Sequence, residues 1–67
     1  MNNEAYNKVI DELKEVAAGN RGWVSLTMAS RACGERKEML AVMAKALGLA
    51  VDNSHGSYGM CARRAAR

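Results

Sequence analysis

The sequence holds one imidazole, His55, and two thiols, Cys33 and Cys61, 28 positions apart. Nucleophilic catalysis needs a nucleophile, a base and an orienting group together, and one histidine in a Gly-Ser-Asn-rich stretch with two distant cysteines does not spell such a set. Asp52, His55 and Cys61 are oxygen, nitrogen and sulfur donors near one another in sequence, but they lack the paired Cys-x-x-Cys spacing of a zinc site. No Gly-rich loop leads into Lys-Ser or Lys-Thr, so nothing announces a bound nucleotide. The reading is a protein that is not an enzyme and needs no cofactor. The better-defined chemistry is cationic: Arg36 and Lys37 stand side by side, and a guanidinium pairs bidentately with the guanine edge. Arg31, Lys45, Arg63 and Arg64 are further cations, and Ser25 and Thr27 add hydroxyls of the kind that meet phosphate oxygens.

Charge along the chain follows the same division. Residues 1–20 balance to −2, whereas residues 21–67 balance to +5, within a net charge of +3. An acidic rear and a basic front suit a domain that faces a polyanion. With 67 residues the chain makes a single domain, and one this short buries only roughly 60% of the surface its unfolded form exposes. At 49% apolar and 25% charged, with no proline, it reads as a folded helical domain rather than a disordered tail. No stretch is long and apolar enough for a membrane span, and Met-Asn-Asn-Glu is neither basic nor apolar enough for a secretory signal. A cytoplasmic protein with no membrane contact and two reduced, buried cysteines is expected.

Periodicity then places the elements. A first helix from Asn2 or Asn3 to about Ala18 carries the apolar stripe Tyr6, Val9, Ile10, Leu13, Val16 and Ala17 and stops at Gly19-Asn20. Trp23, Val24 and Leu26 form a segment too brief for a helix and are read as a small strand, with Ser25 or Thr27 capping the helix that follows. That helix is expected to turn Met28 and Ala29 inward, with Ala32 and Cys33 at a tight crossing and Gly34 at the bend. A third helix, about Glu35 to Leu47, is expected to bury Met39, Val42, Met43, Ala46 and Leu47, leaving Arg36, Lys37, Leu40, Ala41, Ala44 and Lys45 on its other faces. Leu49 to Val51 and Ser57 to Ala62 read as a hairpin around Asp52 to Gly56, with Leu49, Val51, Tyr58, Met60 and Ala62 inward and His55 exposed at the tip. Residues 63–67 read as a basic tail.

Ser25 to Ala44 resembles the helix-turn-helix of bacterial, phage and plasmid regulators, particularly the winged variety. Counting Ser25 as first in a pattern about twenty residues long, the small or apolar fifth, ninth, fifteenth and eighteenth places are Ala29, Cys33, Met39 and Val42. The resemblance implies a fold that is mainly α with a small β-hairpin: a single winged helix-turn-helix over 1–67, with the two helices at about 25–47 and the wing at about 49–62. It also implies a sequence-specific transcriptional regulator, repressor-like, acting on double-stranded DNA as a homodimer. Its third helix would enter the major groove and its wing would touch the flanking backbone. The expected DNA contacts are then Ser25, Thr27, Arg31, Arg36, Lys37, Leu40, Ala41, Lys45, His55, Arg63 and Arg64, with Arg36 and Lys37 as the base readers. The alternative is a small protein-binding inhibitor of phage or plasmid type on a similar scaffold, for which Arg36 and Lys37 would be dispensable.

Overall fold

A computed structural model describes residues 3–65. Asn2 as a helix cap and Arg67 of the basic tail lie outside the described residues. The chain forms helix α1 (Asn3–Ala18), strand β1 (Trp23–Ser25), helices α2 (Leu26–Cys33) and α3 (Lys37–Ala46), strand β2 (Leu49–Asp52), a 3-10 turn (Gly56–Tyr58) and strand β3 (Cys61–Arg64). It is mainly helical, with one small antiparallel sheet in the order β1-β3-β2.

The α1 stripe packs as the periodicity predicts. Val9, Leu13 and Val16 are buried, and Tyr6, Ile10 and Ala17 flank them against the core. Each fully buried aliphatic side chain contributes about 1.5–3 kcal/mol relative to exposure. Behind α1 lies β3, whose Ala62 pairs across to Val24 of β1 and Val51 of β2. The core-facing residues of the sheet are thus Val24, Ala62 and Leu49, all buried. Gly34 closes α2 in the left-handed region, φ +77°, where a side chain would be strained, and its N–H bonds the Ser30 carbonyl.

Three assignments are corrected by the packing. On α3 the buried residues are Leu40, Ala41 and Ala44, while Met39, Val42 and Leu47 are exposed, so the helix is turned from the predicted face. Apolar residues surround this helix on every side, and periodicity alone cannot select among them. The packing places Leu40 in the deep position, with the small Ala41 and Ala44 buried beside it. On α2 the same thing happens on a smaller scale: Ala29 and Cys33 are buried as expected, but Met28 and Ala32 are exposed.

The hairpin is also displaced. Its return strand begins at Cys61 and runs through Arg63 and Arg64, which are strand residues rather than a tail. Residues 57–60 instead form the end of a 3-10 turn and a link, and Tyr58 is exposed. Cys61 and Ala62 are consecutive yet both fully buried. Since neighbours in a strand point to opposite faces, both faces of β3 are covered. α1 covers the inner one; the segment before β3 folds back over the outer one.

Candidate functional site

The connection from α2 to α3 is held from inside. The Ser30 hydroxyl donates to the Glu35 carbonyl, and the Glu35 carboxylate accepts the Arg36 N–H at 2.9 Å. This fixes Arg36 in extended conformation as the residue before α3, where its carbonyl accepts from Met39 and Leu40. Its own side chain makes no capping bond. The N–H groups of Lys37 and Glu38 consequently meet no acceptor among the described residues. An open helix start carries partial positive charge and free donors, and both Arg36 and Lys37 beside it are exposed.

The start of α2 is the opposite case. The Met60 carbonyl accepts from Leu26 at 2.7 Å and Thr27 at 3.4 Å, and the Ser25 hydroxyl oxygen accepts from Met28 at 3.2 Å. Ser25 is therefore the cap of α2, and it also donates to the Tyr58 carbonyl at 2.7 Å. It is buried, and Thr27 is half-buried with its hydroxyl oxygen accepting from the Met60 N–H. The buried Ser25 hydroxyl is occupied as both donor and acceptor, which corrects its expected role as a phosphate ligand, while the Thr27 hydroxyl helps join α2 to the segment before β3.

The remaining expected contacts sort by their partners. Arg63 is held by Asp52 at 2.7 Å across the hairpin. The Ser54 hydroxyl and then Arg63 hydrogen-bond the same carboxylate and lower its pKa from the ordinary 3.8 to about 2. Arg64 is exposed, with its guanidinium lying over Gly19 at the end of α1. Arg31, Arg36, Lys37 and Lys45 are exposed and make no ion pair among the described residues. Leu40 and Ala41, expected on the outside, are core residues with no surface to offer. His55, expected free at a wing tip, is half-buried and stacks on Trp23.

What the structure brings together is thus the α2–α3 half. Arg31 sits in the last turn of α2, Arg36 and Lys37 at the open start of α3, and Lys45 in its last turn. Between them Glu38, Met39, Val42 and Ala46 form the outward face of α3. Met39 and Val42 are 50% and 62% exposed, and both were missed as surface residues because apolar side chains outnumber the polar ones on that side, where Glu38 alone stands among Met39, Val42 and Ala46.

Neither thiol adds chemistry to this surface. Cys33 and Cys61 are free and buried, and burial, with the charge of Asp52 behind it, pushes the Cys61 thiol pKa up. No cluster of His, Cys, Asp or Glu side chains fit to hold a metal ion forms among the described residues, and no helix there is long and apolar enough to cross a membrane. Compared with protein-family models, curated proteins and solved structures, the chain finds no significant match.

Proposed function

We propose that this chain is a winged helix-turn-helix protein that binds double-stranded DNA as a small transcriptional regulator, with α3 as the helix that enters the major groove. The observation that carries this reading is the start of α3. Unbonded N–H groups, Arg36 and Lys37 meet there, next to the exposed residues Glu38, Met39, Val42 and Ala46 of the same helix. Free amides at a helix start are ready partners for phosphate oxygens. Arg36 is the guanine reader, and Met39 and Val42 are suited to the thymine methyl, the apolar feature of the major groove. Lys45 and Arg31 contact the backbone and position the helix.

The order of elements supports the same reading. Helix, strand, helix, helix and hairpin, with the first strand paired to the last, is the arrangement expected of a winged helix. The wing of this chain is short and folded inward, so α3 carries the recognition and residues 53–60 carry little of it.

Selection of bound duplexes from a random-sequence pool at two salt concentrations tests the proposal. An enriched motif is expected, with Arg36→Ala costing about 1–3 kcal/mol and relaxing discrimination at one base pair. Lys45→Ala is expected to weaken all sequences alike and reduce the salt slope by about 1. The second reading, a protein-binding module, is favoured by the exposed apolar residues Met39 and Val42 on α3 and Leu47 at its C-terminal cap. Binding that enriches no motif and survives Arg36→Ala unchanged decides for it.

A further inference from the structure

α1, β1 and α2 enclose an open hollow of about 780 Å³ to which α3 contributes no residue. Its floor is Val9, Val24 and Ala29, all buried and apolar. Three charged side chains line it: Lys8 and Glu12, one turn apart on α1, and Arg21 before β1. Arg21 pairs with Glu12 at 3.7 Å and its Nε donates to the Trp23 carbonyl at 3.3 Å, so these two charges answer each other within the chain. Lys8 makes no ion pair among the described residues, and the lining is left with one uncompensated positive charge. The other polar side chains of the lining divide in the same way. The Ser25 hydroxyl is engaged as donor and acceptor, whereas the Trp23 indole N–H and the Tyr58 O–H bond no acceptor among the described residues. The unengaged polar groups of the hollow can thus all donate, and they stand around an apolar floor.

We propose that this hollow binds a small monocarboxylic acid with an apolar body, the carboxylate meeting Lys8 and the body lying on Val9, Val24, Met28 and Ala29. The charge of the lining selects the acid. A neutral ligand leaves Lys8 unanswered and a cation is repelled by it, while a carboxylate accepts a charge-assisted bond from the ammonium. Size selects a small molecule. Ligand sites measure about 300–1,000 Å³, are mostly apolar and carry a few polar groups that fix orientation, which this hollow matches. A stable protein interface takes roughly 20–30 residues a side, and 13 line this surface. Met28, 54% exposed, suits the wall because its flexible thioether adapts to the ligand's shape. The inference goes beyond the DNA reading and does not rest on it, since α3 carries none of the lining.

Isothermal titration calorimetry of the chain with decanoate, up to about 1 mM ligand, tests it. Trp23 emission is the second readout, because the sole tryptophan lines the hollow. Saturable one-to-one binding with a change in that emission is expected, and decylamine is expected to bind at least about tenfold more weakly. Lys8→Glu is expected to raise the decanoate dissociation constant about tenfold. Lys14→Glu, the same change of charge on α1 outside the hollow, is expected to leave it unchanged. Met28→Asp is expected to abolish binding while keeping its helical circular dichroism, because Met28 is not a core residue. Arg36→Ala on α3 is expected to change nothing. No saturation by decanoate overturns the proposal, as does equal binding of decylamine. Equal losses for Lys8→Glu and Lys14→Glu also overturn it, since attraction to net charge then accounts for the binding. Binding that survives Met28→Asp overturns it by placing the ligand elsewhere. A chain that takes decanoate as expected and enriches no DNA motif counts against the DNA reading alone.

Discussion

The imidazole of His55 lies almost flat on the indole of Trp23, with ring centroids 4.0 Å apart and planes inclined by 21°. Tyr58 meets the same indole edge-on at 4.9 Å. Three aromatic rings from two distant segments thus clamp residues 53–60 onto the outer face of the sheet, and the hairpin has no free tip. His55→Ala is expected to lower stability by about 0.5–1.5 kcal/mol, the worth of an aromatic pair. Because Trp23 is the sole tryptophan, its fluorescence reports the change directly. A red-shifted emission is expected, and an unshifted spectrum would show that the stack does not persist in solution.

The turned face of α3 separates stability from binding. Leu40→Ala removes a fully buried side chain and is expected to cost about 2–5 kcal/mol in urea unfolding. Val42→Ala, two positions on, removes an exposed one and is expected to stay within about 0.5 kcal/mol. On the DNA reading the order reverses for affinity measured on folded protein. Similar unfolding costs for the two would mean the helix is not turned as described.

Ser25 joins three segments through one hydroxyl, accepting from Met28 and donating to Tyr58. Replacing it with alanine leaves the Tyr58 carbonyl and the Met28 N–H without this partner. A loss of about 1–2 kcal/mol is expected, at the upper end for a cap. Ser25→Thr keeps both bonds and is expected to recover most of the loss. Equal melting temperatures for Ser25→Ala and wild type would refute this account.

Two glycines give opposite forecasts. Gly59 has φ +74° and ψ −135°, a region nearly closed to other residues, and a β-carbon there would come within 2.6 Å of the Thr27 hydroxyl oxygen. Gly59→Ala is expected to cost more than about 1–3 kcal/mol, through strain and the displaced Thr27 bond together. At Gly22 φ is ordinary and nothing lies within 4 Å of an added β-carbon. Gly22→Ala is expected to stabilise by about 0.4–1 kcal/mol by restricting the unfolded chain. Thermal melts of the pair settle both.

Acid is expected to loosen the hairpin through Asp52. Its pKa falls from 3.8 to about 2 on folding, chiefly through the Ser54 hydroxyl and Arg63. A lowered carboxylate contributes stability that is complete above the unfolded value and drains away as pH falls through the folded one. The contribution therefore disappears between about pH 4 and pH 2. Asp52→Asn removes it at all pH values, so the stability difference between wild type and variant is expected to shrink across that window. A constant difference from pH 6 to pH 2 would exclude Asp52 as its source.

How much of this was legible in the sequence depends on what each residue type can signal alone. The α1 stripe from Tyr6 to Ala17, the stop at Gly19, the short strand at Trp23, the bend at Gly34 and the existence of a hairpin after Leu49 all follow from local pattern. In each, polar and apolar residues alternate with one period, or a glycine supplies a conformation others resist. The basic character of the chain beyond residue 20 was equally plain. The exposed face of α3, the closure of α2's start and the clamp on Trp23 were decided only by tertiary structure. Leu40 and Val42 are both apolar, and only the space left by α2 and β2 determines which is buried. Ser25 and Thr27 have the same hydroxyls whether they face solvent or the backbone, and their partners, Tyr58 for Ser25 and Met60 for Thr27, each come from 33 positions away. His55 reads as a turn residue until the fold brings Trp23 beneath it, because a stack between distant segments leaves no mark in the spacing of either.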